Sequence, residues 1–231
     1  MHEPTITLLD ASLGDTPAEG NVRRELDLPV TARKVSDGTI PPVPESAQWT
    51  DDGVVVSGSQ TAVYADQDWI DRTAAWVADA VAVGVPILGI CWGHQLLAQA
   101  LGGQVGPMSD YELGYATIDR VAEDPLFDGI GESFRAFESH SDGVQRLPDD
   151  ATLLAKNERA VQAFRVENAL GVQFHPEYDI ETARWVVQNK EGELPTERLD
   201  RVLDEITPET HAETAPAKRV FRNFEKLVRR G

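Results

Sequence analysis

Short apolar runs alternate with amphipathic stretches over the first hundred residues. Residues 5–9, Thr-Ile-Thr-Leu-Leu, predict a buried strand. Residues 10–20 are polar and turn-rich, 22–28 predict a short helix, and 30–35 predict a second strand. Three prolines between positions 40 and 47 predict a loop. Val54, Val55 and Val56 make a third strand that ends in the turn Ser57-Gly58-Ser59. Over 66–83, apolar side chains at Trp69, Ile70, Trp76, Val77, Ala80 and Val81 recur with a helical period. A further apolar run at 85–88 is followed by a helix over 94–100, which Gly102-Gly103 ends.

This alternation predicts an α/β fold with a mostly parallel central sheet flanked by helices on both faces. After the 94–100 helix the pattern turns β-rich, at 115–121, 134–138, 152–155, 160–166 and 170–174. The excursion from the parallel pattern covers about 112–166. Residues 181–188 predict a helix, and 191–208 are polar with a short helix over 199–206. The stretch 217–228 predicts a last amphipathic helix with a basic polar face, solvated or docked on the acidic body or a partner. No internal repeat is present. The expected organisation is one domain over 1–190, with a helical extension over 191–231 packed on it.

Composition narrows the class. With 231 residues and 41% apolar side chains, the chain can bury a large core. No apolar stretch approaches the roughly 20 residues that span a bilayer. The start Met1-His2-Glu3-Pro4 lacks the basic-then-apolar pattern of a signal peptide. The expectation is a soluble, cytoplasmic protein without a membrane partner. A net charge of −18 argues against nucleic acid as a partner. The 16 Arg and 5 Lys make the surface acidic and lysine-poor, the pattern of a halophile's high-salt cytoplasm. One cysteine excludes an intramolecular disulfide. No His, Cys and carboxylate set has ligand spacing along the chain, so neither a metal nor a cofactor is expected.

That one cysteine carries the chemistry. Gly89-Ile90-Cys91-Trp92-Gly93 lies between an apolar strand and a helix. Glycines two before and two after a nucleophile suit a tight strand-to-helix elbow. The helix N-terminus there favours a thiolate. A cysteine nucleophile needs a base and the base an orienting group. Gly171-Val172-Gln173-Phe174-His175-Pro176-Glu177 offers both: His175 and Glu177 are two apart in an extended segment, on one side of the chain. Both Cys91 and His175 follow strands and so can meet at the carboxyl edge of a parallel sheet. The backbone N–H of Trp92, and those of Gly58 and Ser59, are the candidate oxyanion donors.

These segments resemble class I, triad-type, glutamine amidotransferases. Gly-Ile-Cys-Trp-Gly-His-Gln is similar to the family's nucleophile elbow, and His175-Pro176-Glu177 to its His-Pro-Glu segment. Ser57-Gly58-Ser59 falls at its oxyanion turn, and Ser139-His140-Ser141-Asp142 at a Ser-His loop lining the glutamine pocket. Order and spacing fit over about residues 5–190. The resemblance implies a flavodoxin-like α/β fold and a Cys91-His175-Glu177 triad. It implies that Gln95 helps hold the amino-acid end of the γ-glutamyl substrate and that His140 and Ser141 line the glutamine pocket. Ser57 departs from the paired glycines frequent in that turn. Gly93-His94-Gln95 looks more like the stand-alone, GMP-synthase-like branch and the γ-glutamyl peptidases than like large biosynthetic subunits.

The implied reaction is hydrolysis of the γ-amide of glutamine through a cysteinyl thioester, with ammonia passing to water or to a partner synthetase. The sequence has no Gly-x-x-x-x-Gly-Lys-Ser/Thr loop and no Ser-Gly-Gly-x-Asp-Ser run, which places any acceptor chemistry on another chain. Two alternatives stand beside it: a stand-alone γ-glutamyl peptidase, and a non-catalytic regulatory module on the same fold. Bland readings also stand for single residues. Cys91 can be an inert buried thiol, Glu177 a helix cap, and Ser57 to Ser59 a plain turn. Gln95 can be a surface residue, His140 a loop residue, and His94 core packing.

Overall fold

The computed structural model describes residues 3–44 and 46–230; Met1, His2 and Glu45 of the 40–47 loop lie outside the described residues. The strands are β1 (Ile6–Asp10), β2 (Val30–Lys34), β3 (Gly53–Val56), β4 (Ile87–Ile90), β5 (Gln104–Arg120), β6 (Ser133–Arg146), β7 (Thr152–Lys156), β8 (Val161–Val166) and β9 (Ala169–Val172). They form one sheet in the order β2-β1-β3-β4-β9-β8-β7-β5-β6. Pairings from β2 through β9 are parallel, and those from β9 through β6 are antiparallel. The expected α/β fold with a parallel centre is therefore present. The β-rich excursion is an antiparallel wing of the same sheet. Every residue of β1, β3, β4 and β9 is buried, which is why β3, β4 and β9 read as runs without a polar side chain.

The helices are α1 (Ala18–Glu25), α2 (Asp68–Ala82), α3 (Trp92–Ala100), α4 (Ile180–Gln188), α5 (Thr196–Glu205), α6 (Pro208–Ala212) and α7 (Arg219–Val228). Strand side chains alternate between two cores. Leu8, Val55 and Leu88 pack with Val22 of α1 and with Phe221 and Phe224 of α7. Leu9, Val54, Val56 and Ile87 pack with Trp76 and Val77 of α2 and with Leu96 and Leu97 of α3. A third cluster joins α4 and α5 to Phe137 of β6. The last helix is tied down by polar contacts as well. Glu225 accepts hydrogen bonds from the backbone N–H groups of Asp27 and Leu28 at 2.7 Å each, and Lys218 pairs with Glu25 at 2.5 Å.

Several expectations shift. Leu26 and Leu28 are buried but follow α1 in the chain, so the apolar pattern there overran the helix end. α6 was not foreseen, although Thr207 caps it and Pro208 opens it. β5 and β6 are far longer than expected and form one extended antiparallel hairpin. Ser139 to Asp142 therefore lie in strand β6 and not in a loop. Glu112 of β5 sits opposite His140 of β6.

His94, in α3, is core packing. It is fully buried, and its ring centroid is 4.9 Å from that of Phe164. Burial is the main cause that lowers its pKa to about 3. In the unfolded chain a histidine takes up a proton near pH 6.5, whereas folded His94 resists until about pH 3. Stability contributed by neutral His94 is thus lost as pH falls below 6.5. Urea titrations should show the wild type losing about 2 kcal/mol more than a His94→Gln variant between pH 7 and pH 5. Equal losses in the two proteins would refute this burial effect.

Candidate active site

β4 ends at Ile90 and α3 begins at Trp92, so Cys91 alone makes the turn between them. Its φ of 50° and ψ of −100° are strained for a residue with a Cβ. The flanking glycines are required by contact. A Cβ on Gly89 would sit 2.4 Å from the carbonyl oxygen of Gly93, and one on Gly93 would sit 2.4 Å from that of Val56. The elbow is pinned to its neighbour strand, because Cys91 N donates to the Val172 carbonyl at 2.8 Å. Cys91 is nearly buried, and its Sγ faces the Ser139 carbonyl at 3.9 Å.

β9 leads into the His175 segment. After Val172, Gln173 N donates to the Gln162 carbonyl at 2.9 Å and His175 N donates to that of Phe137 at 2.9 Å. This holds the segment extended between β8 and β6. His175 Nδ1 lies 2.8 Å from Glu177 Oε1, with both side chains buried. A carboxylate there fixes the proton on Nδ1 and leaves Nε2 for the sulfur side. Burial favours the neutral ring. The Glu177 carboxylate and the adjacent Cys91 sulfur outweigh it and hold His175 well above the usual histidine range. Glu177 does not cap α4; Asp179 does, accepting from Thr182 N at 2.7 Å.

The 57–59 turn lies against this pair. A Cβ on Gly58 would come 3.2 Å from His175 Cε1 and 3.9 Å from Cys91 Cβ. Ser57 is buried beneath the turn, with its Oγ accepting from Ala11 N at 2.9 Å. A serine in this first position therefore braces β1 against β3 without entering the cleft. Trp92 buries its ring against Trp69 at 5.3 Å, and its N–H belongs to the open first turn of α3.

Gln95, His140 and Ser141 line the same cavity as Cys91 and His175. Gln95 is not a surface residue: its Nε2 donates to the Asp142 carbonyl at 2.9 Å and to Gln173 Oε1 at 3.0 Å. His140 Nδ1 also contacts the Asp142 carbonyl, at 2.8 Å, while its Nε2 approaches Glu112 and Glu138. Burial again favours a neutral ring, and those two carboxylates overcome it, raising His140 to about 10. Ser141 is exposed at the rim. No ligand-like set was expected from sequence spacing, yet folding brings Glu112, Glu138 and His140 together.

Some lining residues escaped sequence reasoning. Tyr178 stacks on His175, with centroids 4.0 Å apart and planes 14° apart. Tyr111, Trp185, Asn189, Lys190 and Glu193 form the outer end of the cavity, which holds about 460 Å³. Tyr178 follows the His-Pro-Glu segment directly and could have been suspected. The outer residues come from β5 and the end of α4, and only tertiary structure joins them. Among the described residues no helix is long and apolar enough to cross a membrane.

The chain is similar to known proteins in sequence and in fold. The chain is 36% identical over 155 residues to the glutamine-hydrolyzing GMP synthase of Thermomicrobium roseum; the match covers 63% of this chain but only 28% of that protein's length. It is 40% identical over 129 residues to one of the subunits of the glutamine-hydrolyzing GMP synthase of Sulfolobus acidocaldarius, covering 54% of this chain and 67% of that one. In fold it is similar to the crystal structure of a glutamine amidotransferase from Thermotoga maritima, with a TM-score of 0.81 and 21% identity over 97% of this chain and 100% of that one. The family described as "Glutamine amidotransferase class-I" matches residues 22–190. That span holds the elbow, the 57–59 turn and the His175-Glu177 pair, and the chain belongs to the class-I glutamine amidotransferase family.

Proposed function

We propose that the chain hydrolyses the γ-amide of glutamine through a thioester on Cys91 and passes the ammonia to a separate synthetase chain. The observation that carries this reading is the meeting of Cys91, His175 and Glu177 beside Gly58, all lining one cavity. Cys91 Sγ, its proton taken up by His175 Nε2, attacks the amide carbonyl carbon as the thiolate. The oxyanion that forms is met by backbone N–H groups at Gly58, Ser59 and Trp92. His175 gives its Nε2 proton to the departing ammonia as the C–N bond breaks. It then takes a proton from water, whose oxygen attacks the thioester carbon and releases glutamate and the free thiol. Glu177 orients His175 and supports its charged form. Gln95, His140 and Ser141 shape the wall beside the substrate's amino-acid end. Nothing in these steps requires a cofactor.

The names of the relatives support this assignment. Both are called glutamine-hydrolyzing, and the Sulfolobus relative is named as one subunit of its synthase, which supports a partner chain as the receiver of ammonia. In this reading the enzyme works in the cytoplasm, where a thiol nucleophile stays reduced. Its acidic, lysine-poor surface suits high salt.

One observation favours a second reading, a stand-alone γ-glutamyl peptidase. The same cavity is also lined by Trp185, Asn189, Lys190 and Glu193, and its volume of about 460 Å³ has room for a substrate larger than glutamine. Glutamate release from glutamine and from γ-glutamyl dipeptides, measured in parallel at low and molar KCl, separates the two. Glutamine turnover well above dipeptide turnover is expected. Rapid dipeptide cleavage without glutaminase activity would overturn the assignment. Cys91 that stays unlabelled by a glutamine-analogue electrophile, alone or with a partner synthetase, would instead support the non-catalytic module.

A further inference from the structure

We propose that Glu112, Glu138 and His140 form a binding site for a divalent transition-metal ion that braces the wall of the active-site cavity. The β5–β6 register creates the cluster. Glu112 pairs directly across from His140, and Glu138 lies two residues before His140 on the same face of β6. All three are buried, with Glu138 fully so. His140 Nε2 is 3.1 Å from Glu112 Oε2 and 3.2 Å from Glu138 Oε2. One donor atom from each residue lies within 4.8 Å of the others. Metal–ligand bonds of about 2.0–2.2 Å place neighbouring donors about 2.8–3.6 Å apart in octahedral or tetrahedral shells. The two measured edges fall in that range.

The hydrogen bonding points the same way. Glu138 Oε1 has no hydrogen-bond partner among the described residues, and the ion-pair contacts of His140 Nε2 with Glu112 Oε2 and Glu138 Oε2 lack hydrogen-bond alignment. Such groups are costly to bury unsatisfied. The outward-facing atoms of the cluster are held by other groups. Nδ1 of His140 contacts the Asp142 carbonyl at 2.8 Å, which leaves Nε2 as the free ligand atom. Oε1 of Glu112 accepts from Asn157 Nδ2 at 2.7 Å, which orients that carboxylate. These are the contacts that aim ligands at a metal. Metal binding would displace the proton from His140 Nε2, and the two carboxylates with the neutral imidazole carry a charge of −2, which a dication balances. A proton on His140 leaves one carboxylate uncompensated. One nitrogen and two carboxylates suit ions such as Zn²⁺, Mn²⁺ or Co²⁺ better than Mg²⁺ or Ca²⁺, which prefer all-oxygen shells.

The ion would act on the pocket wall without touching the reacting atoms. Ser139 sits between two ligands, and its carbonyl faces Cys91 Sγ at 3.9 Å. The Asp142 carbonyl links His140 to Gln95. The test uses the full chain carrying Cys91→Ala, so that the thiol cannot capture metal. After chelator treatment it is titrated with Zn²⁺ by calorimetry and with Co²⁺ by visible absorption. One ion per chain is expected, with Co²⁺ ligand-field bands and a Zn²⁺-dependent rise in melting temperature. In the same background, Glu138→Gln should weaken binding at least tenfold and abolish the rise. No stoichiometric Zn²⁺ or Co²⁺ binding by the Cys91→Ala protein would overturn the site, whatever the second variant does. Binding that is unchanged in a folded Glu138→Gln variant would also overturn it.

Discussion

Replacing Cys91 with Ala should reduce glutamine hydrolysis at least about 10⁴-fold, to background, because no thioester can then form. The fold should survive. The sulfur's one hydrogen bond to a protein carbonyl is the long contact to Ser139. Its neighbours in the elbow are held by the backbone bond from Cys91 N to Val172, which alanine keeps. Alanine also keeps the strain, since its Cβ meets the same clash at a φ of 50°. Cys91→Gly is therefore an informative companion. Glycine occupies that region freely, so this variant should be as inactive as Cys91→Ala yet melt at a higher temperature. The strain relieved is of the order of 1–3 kcal/mol, reduced by the entropy cost of glycine. Glutamate release, thermal melts and mass spectrometry of electrophile-labelled protein check all three points. A Cys91→Ala protein that still turns over glutamine would end the thioester mechanism.

How far this site could be seen in the sequence depends on how local its causes are. The elbow was legible because its requirements are local: a buried strand, a helix start and two glycines whose Cβ atoms would strike Gly93 and Val56. His175 and Glu177 were legible because an extended segment puts residues two apart on one side, and the structure joins them at 2.8 Å. The strand status of Ser139 to Asp142 was not legible. The buried positions of β6 in this stretch are the polar Glu138 and His140, so its Glu-Ser-His-Ser-Asp run reads as polar loop. The Glu112, Glu138 and His140 cluster was hidden for a related reason. Only the hairpin register brings the Glu112 of one strand to the other two residues. The outer cavity was hidden too, since Trp185 and Lys190 reach it only through the packing of α4. Local geometry thus revealed the Cys91 elbow and the His175–Glu177 pair. The shape of the pocket, which decides what the nucleophile meets, came from long-range pairing.

Glu177→Gln should lower kcat by about 10²–10³-fold and also move the pH profile. A neutral replacement of the carboxylate in a serine triad costs about 10⁴. A cysteine site should lose less, because a thiol ionises more readily than a hydroxyl and leans less on its base. Two effects combine. The glutamine amide can present its NH₂ to Nδ1, which turns His175 to the wrong tautomer. It also removes the charge that, with the Cys91 sulfur, holds His175 well above its ordinary range against burial. Without that charge the imidazolium loses its proton at lower pH. The basic limb of kcat/KM, which reports the free enzyme, should therefore shift to lower pH. A residue that merely supported the fold would scale the whole profile down and leave the limb in place. Glu177 has no role in capping α4, which Asp179 performs, so the helix start should remain intact in the variant. A full pH profile of the two proteins, with circular dichroism to verify folding, distinguishes these outcomes. An unshifted limb in a folded Glu177→Gln protein would remove Glu177 from the proposed triad and leave Cys91 and His175 to act as a pair.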